Sequence, residues 1–88
     1  MPEPFKPIRF SGHAREQMAH RGTSEEEVRE AILEGKWGDA DRGRRDSRKD
    51  FAFNAEWNGR RYATKQVRPV FVEETREIVV VTVYAYYF

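Results

Sequence analysis

Two histidines, His13 and His20, four tyrosines, and nine bases crowded between Arg42 and Arg68 are the residues of this 88-residue chain with chemistry to offer. Together they suit RNA cleavage without a metal. In that reaction the 2′-hydroxyl must lose a proton, the phosphorane needs cations and the 5′-oxygen must gain a proton. Histidine, lysine, arginine and tyrosine can fill all three roles, and aromatic rings can stack unpaired bases. Each residue also has a plain structural alternative. His13 can cap or pack, Tyr84, Tyr86 and Tyr87 can be core, and Arg61 can pair with Glu56 across two strands.

Other chemistries are not supported. The histidines sit seven apart with Gln17 between them and no carboxylate at ligand spacing, so no metal site is expected. The chain has no cysteine, hence no disulfide framework and no thiolate ligand. Gly35, Gly38 and Gly43 are scattered and no Gly-Lys-Ser/Thr follows them, so no phosphate loop is present. Ser11 and Ser24 read as helix caps and Ser47 lies in a basic stretch, which leaves no serine nucleophile. No cofactor is expected.

The elements that must position these residues follow from the apolar pattern. Ile78–Phe88 is uncharged and rich in β-branched and aromatic residues, with both alternating sets apolar, as in a strand inside a sheet. It is too short for a membrane span, which needs about 20 residues. Ser11 is placed to cap a helix over Gly12–Arg21, with Ala14 and Met18 inward and His13, Gln17 and His20 in a polar stripe beside them. Ser24 and Glu27 form a capping box for a second helix that buries Val28, Ala31, Ile32 and Leu33 and ends at Gly35. A short strand around Trp37 is followed by a basic loop or ragged strand over Arg42–Asp50. Asn58-Gly59 is a type I′ turn signal between two alternating segments. A regular hairpin on that turn sets Ala55 opposite Tyr62, Phe53 opposite Thr64 and Ala52 opposite Lys65. The helices should then cover Phe51, Phe53, Ala55, Trp57, Tyr62 and Thr64, leaving Asn54, Glu56, Arg61, Ala63 and Lys65 on the open face. Pro69 should interrupt the next strand as a bulge or edge feature.

The predicted architecture is α+β: two N-terminal helices packed on one face of a three- to four-stranded antiparallel sheet, as a single domain over residues 1–88. Residues 1–7, with prolines at 2, 4 and 7, should be extended or frayed, and without an apolar leader segment a cytoplasmic location with no membrane association is expected. The formal net charge of +1 conceals segregation, with a net of −5 over Glu16–Asp41 and +6 over Arg42–Arg68. Such a division gives a folded protein a side that faces polyanions, unless the two segments simply neutralise each other.

The opening His13-Ala14-Arg15-Glu16-Gln17-Met18-Ala19-His20-Arg21-Gly22-Thr23-Ser24 resembles that of a small bacterial family described as a domain of unknown function. Its members begin with His-Ala, then Met, then Arg-Gly-Ile-Ser before an acidic helix, and end in a strand like Val81-Thr82-Val83-Tyr84. Thr23 stands where that family usually has Ile, and Gln17 where Arg is common. The family in turn resembles the RelE/ParE-like toxin superfamily, especially its Brn-type ribonuclease members, with helices first and an antiparallel sheet after. Some members of that superfamily cleave RNA with basic residues and tyrosine or histidine over the sheet; others inhibit gyrase or have lost activity.

The resemblance and the residues together suggest a toxin-like, metal-independent ribonuclease domain of a toxin–antitoxin system, active or degenerate. His13, Lys65 and Tyr84 would be catalytic, and Arg21, Arg44, Arg45, Arg61 and Arg68 would bind RNA phosphate. RNA and a cognate antitoxin would be its partners, with a homodimer possible through exposed strand edges. The alternative is a non-catalytic module that binds nucleic acid or protein through the basic 42–68 segment. His13 within reach of Lys65 and Tyr84 over one pocket favours the enzyme; His13 facing elsewhere favours the binding module.

Overall fold

Ser11 opens the first helix as its residue type requires. Its hydroxyl accepts the Ala14 N–H at 3.0 Å, and α1 runs over Gly12–Arg21. The computed structural model describes residues 6–88. Gly22 stops α1 at φ 72°, and two residues later Ser24 and Glu27 form a reciprocal capping box that starts α2, Glu25–Glu34. Ala14, Met18, Val28, Ala31 and Ile32 are buried, whereas Leu33, expected in the same stripe, is 47% exposed. No helix among the described residues is long and apolar enough to cross a membrane.

The strands are β1 (Ile8–Phe10), β2 (Lys36–Asp39), β3 (Arg45–Trp57), β4 (Arg60–Glu73) and β5 (Ile78–Tyr87). They form one sheet in the order β1-β5-β4-β3-β2. Both helices lie on one face of it, α1 against β5 and α2 against β3 and β4, and the core fills the space between. The expectation of three to four antiparallel strands therefore needs correction: the sheet has five, and β1 runs parallel to β5 with Ile8 opposite Ile78 and Phe10 opposite Val80. A parallel pair needs a long crossover; here everything from α1 to β4 supplies it.

β5 is covered along its whole length by β4 but by β1 only over Ile78–Val80. Beyond that point α1 takes over its outer edge. Ser11 Oγ donates to the Val81 carbonyl at 3.3 Å, Arg21 to the Val83 carbonyl at 2.8 Å, and the Tyr87 hydroxyl donates to the Arg21 carbonyl at 2.5 Å. Of the segment expected to fray, residues 1–5 lie outside the described residues. Lys6 and Pro7 are held: Lys6 Nζ donates to the Glu74 carbonyl at 2.8 Å, and the Pro7 carbonyl accepts the Ile78 N–H at 2.9 Å.

Three details of the long hairpin decide where the site can be. Arg42–Asp50 is not a loop. A 3₁₀ turn at Asp41–Gly43, with Arg42 at φ 63° and Gly43 at φ 74°, leads straight into β3 at Arg45. The Asn58-Gly59 turn forms with both residues at positive φ, as a type I′ turn demands. Between them the register slips: Ala55 faces Tyr62, but Ala52 faces Thr64 and Phe51 faces Lys65. Phe53 and Asn54 together oppose Ala63, and Asn54 takes φ 47° at this bulge. One extra residue reverses the facing of everything upstream relative to β4. Lys65, expected on the open face, is therefore under the helices, and Thr64 is opposite Ala52 on the open side. Pro69, expected to break or edge the strand, is buried in an unbroken β4 opposite Val83, and the irregularity lies one step on, between Val70 and Phe71.

Candidate nucleic-acid interface

Alternation along the strands sorts the cations into two groups. Toward the helices point Arg45, Lys49 and Lys65, and each meets acids there. Lys49 bridges Glu30 and Glu34 at 3.2 and 3.0 Å, and these hydrogen bonds, Glu34 first, raise its pKa. Lys65 Nζ lies 2.9 Å from Glu27 Oε2 and 2.8 Å from the Gly22 carbonyl, with its side chain 8% exposed. Arg45 lies 3.5 Å from Asp39, 3.8 Å from Glu73 and over the Trp37 ring. Part of the charge segregation is thus neutralised internally, by the acidic helix lying on the basic hairpin.

The other group points to the uncovered face and lines up across it. Lys36 on β2 faces Arg48 on β3. The rungs Asp46–Val70 and Lys49–Val67 on either side set Arg48 opposite Arg68 on β4, and Arg68 faces Tyr84 on β5. The result is one row, Lys36–Arg48–Arg68–Tyr84, spanning four strands. Like charges on neighbouring strands are unfavourable at such distances. Among the described residues, the ion pair that relieves this within the row is Arg68 Nε donating to Asp46 Oδ2 at 2.8 Å. Partial burial works against the Arg68 charge, but hydrogen bonds with Asp46 and the Tyr86 hydroxyl outweigh it, and its pKa stands above the ordinary value. Among the described residues Lys36 and Arg48 are exposed and form no ion pair.

At the β5 end the row is completed from the helix layer. Arg21, while bonded to the Val83 carbonyl, reaches round the sheet edge so that its guanidinium lies 4.9 Å from the centre of the Tyr84 ring; Arg68 lies 5.3 Å from the same ring. Cations stacked on a ring are held in place and oriented by it. Beside Tyr84, a recess of about 230 Å³ is lined by Ala40, Asp41, Arg44, Arg68, Val70, Thr82 and Tyr84. Arg44, Arg68 and Tyr84 thus share a single recess, and Arg21 stacks on the Tyr84 ring that helps line it. Chemically the recess offers guanidinium donors and two hydroxyls, with the Asp41 carboxylate as its one anionic group.

The remaining expected site residues lie elsewhere. Lys65 and Tyr84 are on opposite faces, since Lys65 pairs with Tyr87 while Tyr84 pairs with Arg68. His13 is exposed in the first turn of α1, in the helix layer, and no hydrogen bond or ring contact joins it to either. Arg45 is on the helix side, and Arg61 is exposed on the hairpin, donating to the Asn54 carbonyl at 3.1 Å. Tyr87 is drawn into an aromatic cluster with Trp57, Phe53 and Tyr62, and burial, then the charge of Glu27, pushes its phenol above the ordinary value. No group of three or more potential metal ligands occurs among the described residues. Lys36 is the member that sequence reasoning missed, and Arg48 was included only within the basic 42–68 segment of the alternative reading. Arg48 was not singled out there, and its neighbours in the row become visible only with the cross-strand register.

A family model described as a domain of unknown function, DUF4258, matches residues 10–85. The chain belongs to the DUF4258 family. The match runs from the end of β1 to near the end of β5, so the whole cation row and Arg21 lie inside the DUF4258 domain. No curated protein and no solved structure gives a significant match.

Proposed function

We propose that this DUF4258 domain binds the phosphate backbone of RNA across its uncovered sheet face. The observation that carries the reading is the row Lys36–Arg48–Arg68, ending in Tyr84 with Arg21 stacked on it. A face kept that way against local repulsion suits a polyanion laid across the strands. The position of His13, away from both Lys65 and Tyr84, favours binding over the catalytic arrangement expected from the sequence. The test is RNA affinity against salt. About four phosphate contacts give a slope of log K on log salt of roughly −3, and Arg48→Ala should reduce it by about 1. Salt-independent binding, or no binding, would overturn the reading.

A second reading keeps the RelE-like ribonuclease toxin, and the recess supports it. Arg44, Arg68 and Arg21 would hold the phosphate; the Asp41 carboxylate would take the 2′-hydroxyl proton as that oxygen bonds to phosphorus, and the Tyr84 hydroxyl would give a proton to the 5′-oxygen as its bond to phosphorus breaks. A cognate antitoxin would act by covering this face. Induction of the chain alone should then arrest growth, and purified protein should cleave RNA in the presence of a chelator. Tyr84→Phe should remove that cleavage while RNA binding persists.

A further inference from the structure

One step along the strands from the cation row lies a second row, Asp50–Gln66–Tyr86, again crossing β3, β4 and β5 on the uncovered face. The two rows are parallel and about 7 Å apart, two residues of strand rise. Their chemistry differs. The first offers cations. The second offers an aromatic ring that is 42% exposed, an amide and a carboxylate. Tyr84 is occupied by two guanidinium groups, so Tyr86 is the ring with a surface to give. It stands directly beside Tyr84 in the register, pairing with Gln66 as Tyr84 pairs with Arg68, so the two rows adjoin along β4 and β5. Gln66 is held, its Nε2 donating to Asp50 Oδ1 at 2.8 Å. With the nitrogen bonded to Asp50, the amide oxygen takes no hydrogen bond among the described residues and is the acceptor left for a ligand.

From this, and resting on the phosphate-binding reading above, we infer that the face is a reader of single-stranded nucleic acid: phosphates lie on the Lys36–Arg48–Arg68 row, and an unpaired base stacks on Tyr86 with its edge at Gln66. A duplex would present only phosphates and could use the first row alone. A single strand can use both, because its bases are available for stacking. The acceptor left on Gln66 suits a base edge that donates. Cytosine carries an amino group where uracil carries a carbonyl, so at equal size cytosine is preferred.

Fluorescence anisotropy of the full chain with labelled oligocytidine, oligouridine and an RNA duplex of the same length tests this. The parent protein should bind oligocytidine more tightly than oligouridine, and both more tightly than the duplex. Tyr86→Ala should weaken both single strands roughly tenfold or more and leave the duplex unchanged. Asp50→Ala should release the Gln66 amide and narrow the ratio of oligocytidine to oligouridine affinity toward one. Arg48→Ala should weaken all three probes. If Arg48→Ala does so but single strand and duplex bind alike, or Tyr86→Ala binds as the parent does, the base-reading inference is overturned and phosphate binding stands. If no probe binds, or Arg48→Ala changes none, both fall together.

Discussion

Lys65 Nζ sits 2.9 Å from Glu27 Oε2 beneath the helix layer, joining the first turn of α2 to the middle of β4. Glu27 is also the residue that completes the capping box with Ser24. One carboxylate therefore serves the helix start and the only ammonium sealed under the helices among the described residues. Glu27→Ala should leave that ammonium buried without its partner and should cost roughly 3 kcal/mol in urea unfolding, the low end for a broken buried pair because Glu27 is partly exposed. Lys65→Met, which removes the charge and keeps the stem, should cost less. A Lys65→Met protein with parental stability but no RNA binding would place Lys65 in the interface after all.

Gly22 should tolerate no side chain. At φ 72° a β-carbon there would stand 2.6 and 2.7 Å from two ring carbons of Trp57, and 3.0 Å from the Tyr87 hydroxyl. Backbone strain and the ring clash add, so Gly22→Ala should lower stability by about 2 kcal/mol or more. Gly12→Ala, with nothing within 4 Å of the new carbon, should be neutral or gain a few tenths of a kcal/mol from helix propensity. Thermal unfolding of the two variants side by side decides it.

The attachment of β1 should weaken in acid. Arg9 holds Glu77 by a two-pronged contact, Nε to Oε1 at 3.1 Å and Nη2 to Oε2 at 3.0 Å, and that hydrogen bonding lowers the Glu77 pKa below its ordinary 4.5. A carboxylate with a lowered folded pKa contributes stability above its unfolded value and loses it as pH falls through the folded one. The parent should exceed Glu77→Gln in stability at neutral pH, and the gap should close below about pH 4.5. A gap that stays constant through that range would show the contact contributes no pH-dependent stability.

Arg21 guards an edge as well as a ring. Arg21→Ala removes both the bond to the Val83 carbonyl and the stacking on Tyr84. The expected cost is about 1–2 kcal/mol, with concentration-dependent self-association in size-exclusion chromatography, because an uncovered strand edge invites another strand. An Arg21→Ala protein that stays monomeric at every concentration would show that α1 blocks the edge without it.

The local signals were legible. Ser11, the Ser24/Glu27 pair and Asn58-Gly59 each act on their immediate neighbours, and each formed what its residue types require. What depended on distant pairing was not. The Asn54 bulge lies where Phe53 and Trp57 pack on Tyr87, thirty or more positions away, and it shifts the register that sets Phe51 opposite the covered Lys65. The parallel pairing of Ile8–Phe10 with Ile78–Val80 joins two segments with no local reason to meet. For the site, Arg68, Tyr84, Arg44 and Arg21 were named from type and position. The row was not, because a cross-strand register is needed to see that Lys36, Arg48 and Arg68 are neighbours.

The position of β5 between β1 and β4 also sets an order of events. β1 and α1 are made first, but the strand they both rest on is the last element of the described chain to be made. Until residues 78–87 exist, β1 lacks the strand it pairs with and α1 lacks the strand it packs on most, while the β3–β4 hairpin can form on its own turn. Closing the ends of the chain onto each other comes late and carries a large loop-closure cost. Folding of this domain is therefore expected on the slow side for its size, with the hairpin forming early and docking of β1 and α1 completing the reaction.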